Sequence, residues 1–175
     1  DGTYHSAVMV DSDTYLVAYA STAVMGKIST HTISADGAIT ATNIVKFEHE
    51  TNRATYNSLV KVDSDTYALA YSGAGDDGHI QTFTVAADGS SIDKVENVEH
   101  DAADGTYNSL VQVDSDTYAL AYTGTDGDGY IKTFTIDDDG TGVVAVDTLE
   151  HDAKDATHNS LVQVDSDTYA LAYTG

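Results

Sequence analysis

The sequence contains no cysteine, no proline and no tryptophan. Without cysteine the chain cannot form disulfides, bind a metal through thiolates or use a thiol nucleophile. It also lacks any apolar run approaching the roughly 18 residues of a membrane-spanning helix, so we expect no membrane insertion. The sequence starts at Asp1 without an initiator methionine or a signal-peptide pattern, which predicts a processed or partial chain.

Positively charged residues are also scarce. Seven Lys and Arg residues stand against 29 Asp and Glu residues, giving a formal net charge of -22. Such a surface repels phosphate backbones and anionic lipid headgroups, so we expect no nucleic-acid binding. Counterions in salty or calcium-containing surroundings would screen the self-repulsion, which favours an extracellular or cell-surface location.

An internal repeat dominates the sequence. Residues 56–73 and 107–124 differ only at positions 61/112 and 72/123, and residues 158–175 differ from the second copy only at their first position. Residues 4–21 form a more diverged copy. The segment Asp-Ser-Asp-Thr-Tyr begins at Asp11, Asp63, Asp114 and Asp165, which sets a repeat of about 51 residues.

Each copy divides into four short apolar runs separated by turn residues. In the third copy these predicted strands cover residues 108–113, 117–123, 130–136 and 143–150. Asp and Gly in the intervening segments suit tight hairpin turns, and β-branched and aromatic residues fill the runs. The sequence therefore predicts an all-β fold with four antiparallel strands per copy.

The second run of each copy is apolar on both faces. Tyr118, Leu120 and Tyr122 alternate with Ala119 and Ala121. A strand without a polar face is expected to be buried on both sides, with the bulky face of one copy against the small face of its neighbour. The fourth run is more polar, which predicts an outer edge strand.

The motif V-D-x-D-x-Y-A-L-A-Y at residues 62–71, 113–122 and 164–173, with a variant at 10–19, resembles the repeats of bacterial and archaeal β-propellers. The resemblance implies a β-propeller-type array of four-stranded antiparallel blades, about three and a half in this chain. The expected blades cover about 4–55, 56–106 and 107–157, followed by a half blade at 158–175.

Three and a half blades do not close a ring, because closed propellers have about four to eight blades. Three explanations fit: part of a longer propeller, a ring of several chains with irregular junctions, or an open β-solenoid. We favour the first two, and therefore expect as partner either a second copy of the chain or the remainder of a longer one, because an unpaired hairpin would otherwise expose a strand edge.

Acidic turns offer one candidate metal site. In the third copy these turns contribute hard oxygen ligands that suit calcium, the one candidate cofactor; the ligands are Asp126, Asp128, Asp137 and Asp139. Ligand number is not maintained in the other copies, and Asp-Gly also forms simple hairpin turns. We expect the Asp-Ser-Asp segments to cap turns, and the Glu-His pairs at 48–49, 99–100 and 150–151 to be surface pairs rather than metal ligands.

The start of the first run is the candidate ligand site. An aromatic residue followed by an amide recurs there, at Tyr56, Asn57, Tyr107, Asn108, His158 and Asn159. Aromatic rings and amides suit carbohydrate recognition, a lectin-like role. In the alternative reading, Asn and the following Ser satisfy backbone groups while the rings pack between blades.

We expect a non-catalytic binding module. The copies are nearly uniform, whereas a catalytic device is needed once, and the sequence shows neither a nucleophile elbow nor a phosphate-binding glycine loop. A structural or adhesive scaffold is the alternative, because near-identical copies also pack regularly. An engineered repeat array would have the same appearance. A hydrolase or lyase is the remote alternative.

Overall fold

The computed structural model describes residues 2–40 and 44–175. Within these ranges the chain forms β-strands and two single-turn 3-10 helices, at Ala74–Asp76 and Thr125–Gly127. No helix in the described ranges is long and apolar enough to cross a membrane. The all-β prediction is confirmed.

Three antiparallel sheets and a hairpin follow one another, each with its strands in chain order. Sheet 1 contains β1 (Gly2–Met9), β2 (Thr14–Ser21), β3 (Gly26–Thr32) and β4 (Lys46–Glu50). Sheet 2 contains β5 (Thr55–Lys61), β6 (Thr66–Ser72), β7 (Gly78–Val85) and β8 (Ile92–Asp101). Sheet 3 contains β9 (Thr106–Gln112), β10 (Thr117–Thr123), β11 (Gly129–Thr135) and β12 (Val144–Asp152). The last hairpin contains β13 (Thr157–Gln163) and β14 (Tyr169–Thr174).

The Asp-Ser-Asp segments form the turns between first and second strands. The Oδ1 atom of Asp11 accepts hydrogen bonds from the backbone N–H groups of Asp13 and Thr14, at 3.1 and 2.8 Å. Asp165 makes the same pair of bonds in the last hairpin, with Asp167 and Thr168. These bonds replace the pairing that the strands lose where they reverse, which is the turn-capping role expected from the sequence.

The cores lie between the sheets. Ala68 and Ala70 of sheet 2 pack against Tyr118, Leu120 and Tyr122 of sheet 3. All seven residues of β6 are buried. Burying each large side chain is worth about 1.5–3 kcal/mol, so these junctions carry most of the stability. The predicted packing of a bulky face against an alanine face is confirmed.

The first strands of successive sheets, β1, β5, β9 and β13, lie side by side along one edge of the array. The fourth strands are outermost in each sheet, as their polarity predicted. The end of the array at which β1, β5, β9 and β13 begin is called here the bulge end. The β2–β3, β6–β7 and β10–β11 turns lie at the same end, because those strands pair there with the starts of the first strands.

Candidate functional site

Each first strand contains a β-bulge near its start, where the register with the second strand shifts. The bulged residue has a positive φ in every copy: 54° at Tyr4, 53° at Tyr56, 49° at Tyr107 and 57° at His158. A left-handed conformation costs a residue with a β-carbon about 1–2 kcal/mol. Bulges re-aim side chains, and the residue that the bulge re-aims is aromatic in every copy.

The four rings form a continuous row that crosses from sheet to sheet. Ring centroids are 4.6 Å apart between Tyr4 and Tyr56, 4.4 Å between Tyr56 and Tyr107, and 4.6 Å between Tyr107 and His158. Tyr4 is 41% exposed, His158 is exposed, and the two central rings are half-buried. We call Tyr4, Tyr56, Tyr107 and His158 the aromatic row.

The phenol of Tyr56, one of the two inner rings of the row, stays protonated. Burial, followed by hydrogen bonding to the phenols of Tyr107 and Tyr4, raises the pKa of Tyr56 well above its ordinary value of 10.0. A neutral phenol can both donate and accept a hydrogen bond. The row therefore combines apolar ring surface with hydroxyl groups.

The asparagines that follow the rings link neighbouring sheets. The Nδ2 atom of Asn57 donates to the carbonyls of Tyr4 and Ala54, at 3.1 and 3.2 Å. Asn108 donates likewise to Tyr56 and Gly105, at 3.3 and 2.9 Å. Each asparagine side chain is thus hydrogen-bonded to the bulged residue of the preceding sheet. Their Oδ1 atoms are buried without a hydrogen-bond partner among the described residues.

Asn159 occupies the same position in the last hairpin. Its Nδ2 atom lies 3.3 Å from both Thr123 Oγ1 and the carbonyl of Ala156. The structure therefore brings Tyr56, Tyr107 and His158 together in the aromatic row, and places the three predicted asparagines beside the row as links between sheets.

Serines of the first strands make a second set of links. Ser6, Ser58 and Ser109 accept hydrogen bonds through Oγ from the backbone N–H groups of Leu59, Leu110 and Leu161, each at 2.9 Å. The first strands thus satisfy one another's backbone groups across the sheet junctions.

The histidines of two of the three Glu-His pairs are not surface residues, so for those two pairs the expectation was wrong, whereas His151 is half-buried. His49 and His100 are buried between sheets, where burial lowers the pKa of His49 to about 4 and that of His100 to about 3. The glutamates point outward while the histidines point inward, because neighbouring strand residues face opposite sides. Gly26 and Gly78 leave the space that these rings fill.

The predicted calcium ligands fall at two separate places. Asp126 lies within the 3-10 turn at the bulge end and Asp128 directly follows it, whereas Asp137 and Asp139 lie beyond the far end of β11. A seven-residue strand separates the pairs by roughly 20 Å, so the four carboxylates do not share one ion. Asp139 Oδ1 already accepts hydrogen bonds from the N–H and hydroxyl of Thr141, at 3.0 and 2.7 Å. Calcium at either turn alone stays a prediction.

A concavity beside sheet 1 is lined by residues other than those of the aromatic row, although His5, next to Tyr4, is one of them. It has a volume of about 490 Å³ and opens on the uncovered face of sheet 1, around Tyr19, His31 and Lys46. In sheet 2 the equivalents of Tyr19 and His31 are Tyr71 and Phe83, which the preceding sheet buries. The concavity therefore marks a sheet-packing face, and the aromatic row is the better candidate site.

No family model matches the sequence, and no curated protein matches it. Solved structures do resemble its fold. The periplasmic gluconolactonase PpgL of Pseudomonas aeruginosa is 17% identical with a TM-score of 0.61, over 85% of this chain and 44% of that one. A mutant of the NanB sialidase of Streptococcus pneumoniae is 8% identical with a TM-score of 0.65, over 95% and 26%. Sqt1 of Chaetomium thermophilum is 18% identical with a TM-score of 0.54, over 90% and 37%.

The chain therefore has a β-propeller-type fold and spans less than half the length of each of these proteins. At such low identity the likeness shows the fold alone. It nevertheless corrects the expectation that the protein is not an enzyme. Two of these three neighbours are enzymes, so the uniform repeat gives no ground for excluding catalysis.

Proposed function

We propose that the protein binds carbohydrate at the bulge end, with the aromatic row as its contact surface. The observation that carries this proposal is the positive φ at Tyr4, Tyr56, Tyr107 and His158. Packing between sheets alone does not require strained aromatic residues at four equivalent positions, one of them 41% exposed. Strain of this kind is concentrated at functional sites.

The four rings of the row would contact a sugar as one continuous surface, because no sugar ring can enter between them. Contact between carbon atoms needs about 3.5–4.0 Å on each side, so no sugar ring fits between aromatic rings whose centroids are 4.4–4.6 Å apart. A sugar ring or chain would instead lie across the row. Its C–H groups would contact the rings, and its hydroxyls would contact the phenols of Tyr56 and Tyr107.

The charge of the chain narrows the ligand class. With 29 acidic residues against seven basic ones, the surface repels uronic and sialic acids. Neutral sugars and amino sugars carry no such penalty. A location outside the cytoplasm fits this composition, and one structural neighbour is named as periplasmic.

The test is a panel of neutral, amino and acidic oligosaccharides, presented with and without calcium, followed by calorimetric titration of the best binder. The variant Tyr56→Asn with Tyr107→Asn removes two rings, and Asn tolerates a positive φ, so the fold should be retained. We expect affinity to fall about tenfold for each ring removed.

Tyr173→Asn is the matched control. Tyr173 is 41% exposed, like Tyr4, but belongs to a second strand and lies outside the row. It should leave binding unchanged. The proposal fails if no member of the panel binds, or if the double variant binds as tightly as the original chain.

Hydrolysis of a carbohydrate derivative is the second candidate, favoured because two of the three structural neighbours are named gluconolactonase and sialidase. Incubation with aldonolactones and with chromogenic glycosides tests it through product release. Turnover that survives the double variant would place such a reaction away from the aromatic row.

A further inference from the structure

Sheet 2 departs from the other sheets at one place on the bulge end. Asp77 follows the 3-10 turn Ala74–Asp76, His79 lies on β7, and Glu99 lies directly opposite His79 on β8. One donor atom from each side chain lies within 4.8 Å of the other two. Donors in a tetrahedron with bonds of about 2.0–2.1 Å are roughly 3.3 Å apart, so small side-chain rotations bring these three to bonding distance.

The imidazole is held in place before any ligand arrives. It stacks on the buried ring of Tyr71, with centroids 5.2 Å apart and planes at 18°. A β-carbon at Gly73 would approach its Nε2 atom to 2.8 Å, so the glycine leaves room for the ring. The Nδ1 atom is shielded from solvent and has no hydrogen-bond partner among the described residues. Ligands oriented in advance lose less conformational freedom on binding.

The other sheets provide an internal comparison. The equivalent residues of sheet 3 are Asp128, Tyr130 and Glu150, and Tyr130 stacks on Tyr122 as His79 stacks on Tyr71, with centroids 5.5 Å apart. Sheet 3 thus keeps both carboxylates and the stacking but lacks the nitrogen donor.

In sheet 1 the equivalent positions hold Met25, Lys27 and Glu48, and Lys27 forms an ion pair with Glu48. A lysine cation therefore occupies the place that a metal ion would take. Arg53, the one arginine of the sequence, lies between β4 and β5 and forms its ion pair with Asp76.

We propose that Asp77, His79 and Glu99 bind one divalent transition-metal ion, for which Zn²⁺ is the best-suited occupant. Two carboxylate oxygens and one imidazole nitrogen are a ligand set that Zn²⁺ accepts, with water at the fourth position. Calcium and magnesium prefer oxygen ligands and gain little from the imidazole. This site is separate from the aromatic row and does not depend on carbohydrate binding.

Titration of the untagged chain with ZnCl₂ alone, followed by calorimetry and native mass spectrometry, tests the proposal. We expect one equivalent per chain, unaffected by excess calcium. His79→Tyr copies the residue of sheet 3 and preserves the stacking, so the fold should be retained while affinity falls at least about 100-fold.

The reverse exchange tests the geometry by gain of binding. Tyr130→His supplies a nitrogen donor to the carboxylates of Asp128 and Glu150, and we expect it to raise the stoichiometry to two. The proposal is overturned if the original chain binds no Zn²⁺, if binding survives His79→Tyr, or if Tyr130→His adds no equivalent.

Discussion

The imidazole of His49 lies edge-on to the ring of Tyr71 in the following sheet, with centroids 5.1 Å apart and planes at 84°. His100 meets Tyr122 in the same way at 4.9 Å and 75°, and His151 meets Tyr173 at 4.8 Å and 65°. In each case a histidine of the fourth strand therefore contacts a tyrosine on the second strand of the next sheet. The histidine recurs in the sequence because this contact recurs.

Acid should weaken the junction at His49. Burial lowers its pKa to about 4 from 6.5, with Lys94 and Lys27 acting in the same direction and the hydrogen bond to Gln81 opposing them. Below pH 6.5 the unfolded chain takes up a proton that the folded chain refuses, so stability is complete above pH 6.5 and is lost as pH falls toward 4. The loss is on the order of 3 kcal/mol.

Urea unfolding between pH 7 and pH 4 measures this dependence. His49→Asn can retain a hydrogen bond to Gln81 Oε1 but does not titrate in this range, so the difference in unfolding free energy between the two proteins should shrink as pH falls. The many carboxylates affect both proteins alike and cancel in the comparison. Parallel stability curves for the two proteins would show that His49 contributes nothing to acid sensitivity.

Removing a serine link should destabilise the array only where a following sheet is present. Ser58→Ala deletes the acceptor of the Leu110 N–H, at 2.9 Å, and should cost about 1–2 kcal/mol. Ser160 is the equivalent residue of the last hairpin and is exposed, so Ser160→Ala should be neutral within about 0.5 kcal/mol. Chemical denaturation of both variants measures the difference, and equal effects would contradict the role assigned to the link.

Converting a linking amide into a carboxylate should be costly. Asn108→Asp would place a negative charge in a buried site that faces the carbonyls of Tyr56 and Gly105, and should cost more than about 2 kcal/mol at pH 7. Part of the loss should return at pH 4, where the new carboxyl can be protonated. Asn52→Asp adds the same charge at an exposed turn and serves as control. A cost equal to that of the control would argue against the link.

The glycine beneath each histidine should resist substitution. A β-carbon at Gly78 would overlap the ring of His100 and lie 3.0 Å from Gly105 Cα. Overpacking of this kind costs about 1–3 kcal/mol, measurable as a lower urea midpoint. In a His100→Ala background the same substitution should cost less, because the ring is gone. An unchanged cost would mean that the ring is not what excludes a side chain.

The sequence predicted the sheets well because each local signal agreed with the others. The strand at 117–123 has the observed bounds, since Asp-Ser-Asp before it and glycine after it mark its ends. Ala119 and Ala121 face another sheet, as expected, because neither face of β10 is polar.

The site was less predictable. Nothing in a tyrosine indicates a positive φ, so the bulge at Tyr56 could not be anticipated from residue type. His100 was missed because its neighbour Glu99 is polar, although the recurrent glycine at Gly78 was a usable signal for a close approach. The group of Asp77, His79 and Glu99 arises from pairing between strands, which sequence spacing does not reveal.

The links between sheets recur at equivalent positions of successive copies, as Ser58 to Leu110 and Ser109 to Leu161 show. Gain or loss of one whole copy would therefore recreate the same junction on either side of the change. The array can thus lengthen or shorten by whole copies while every remaining junction keeps its bonds.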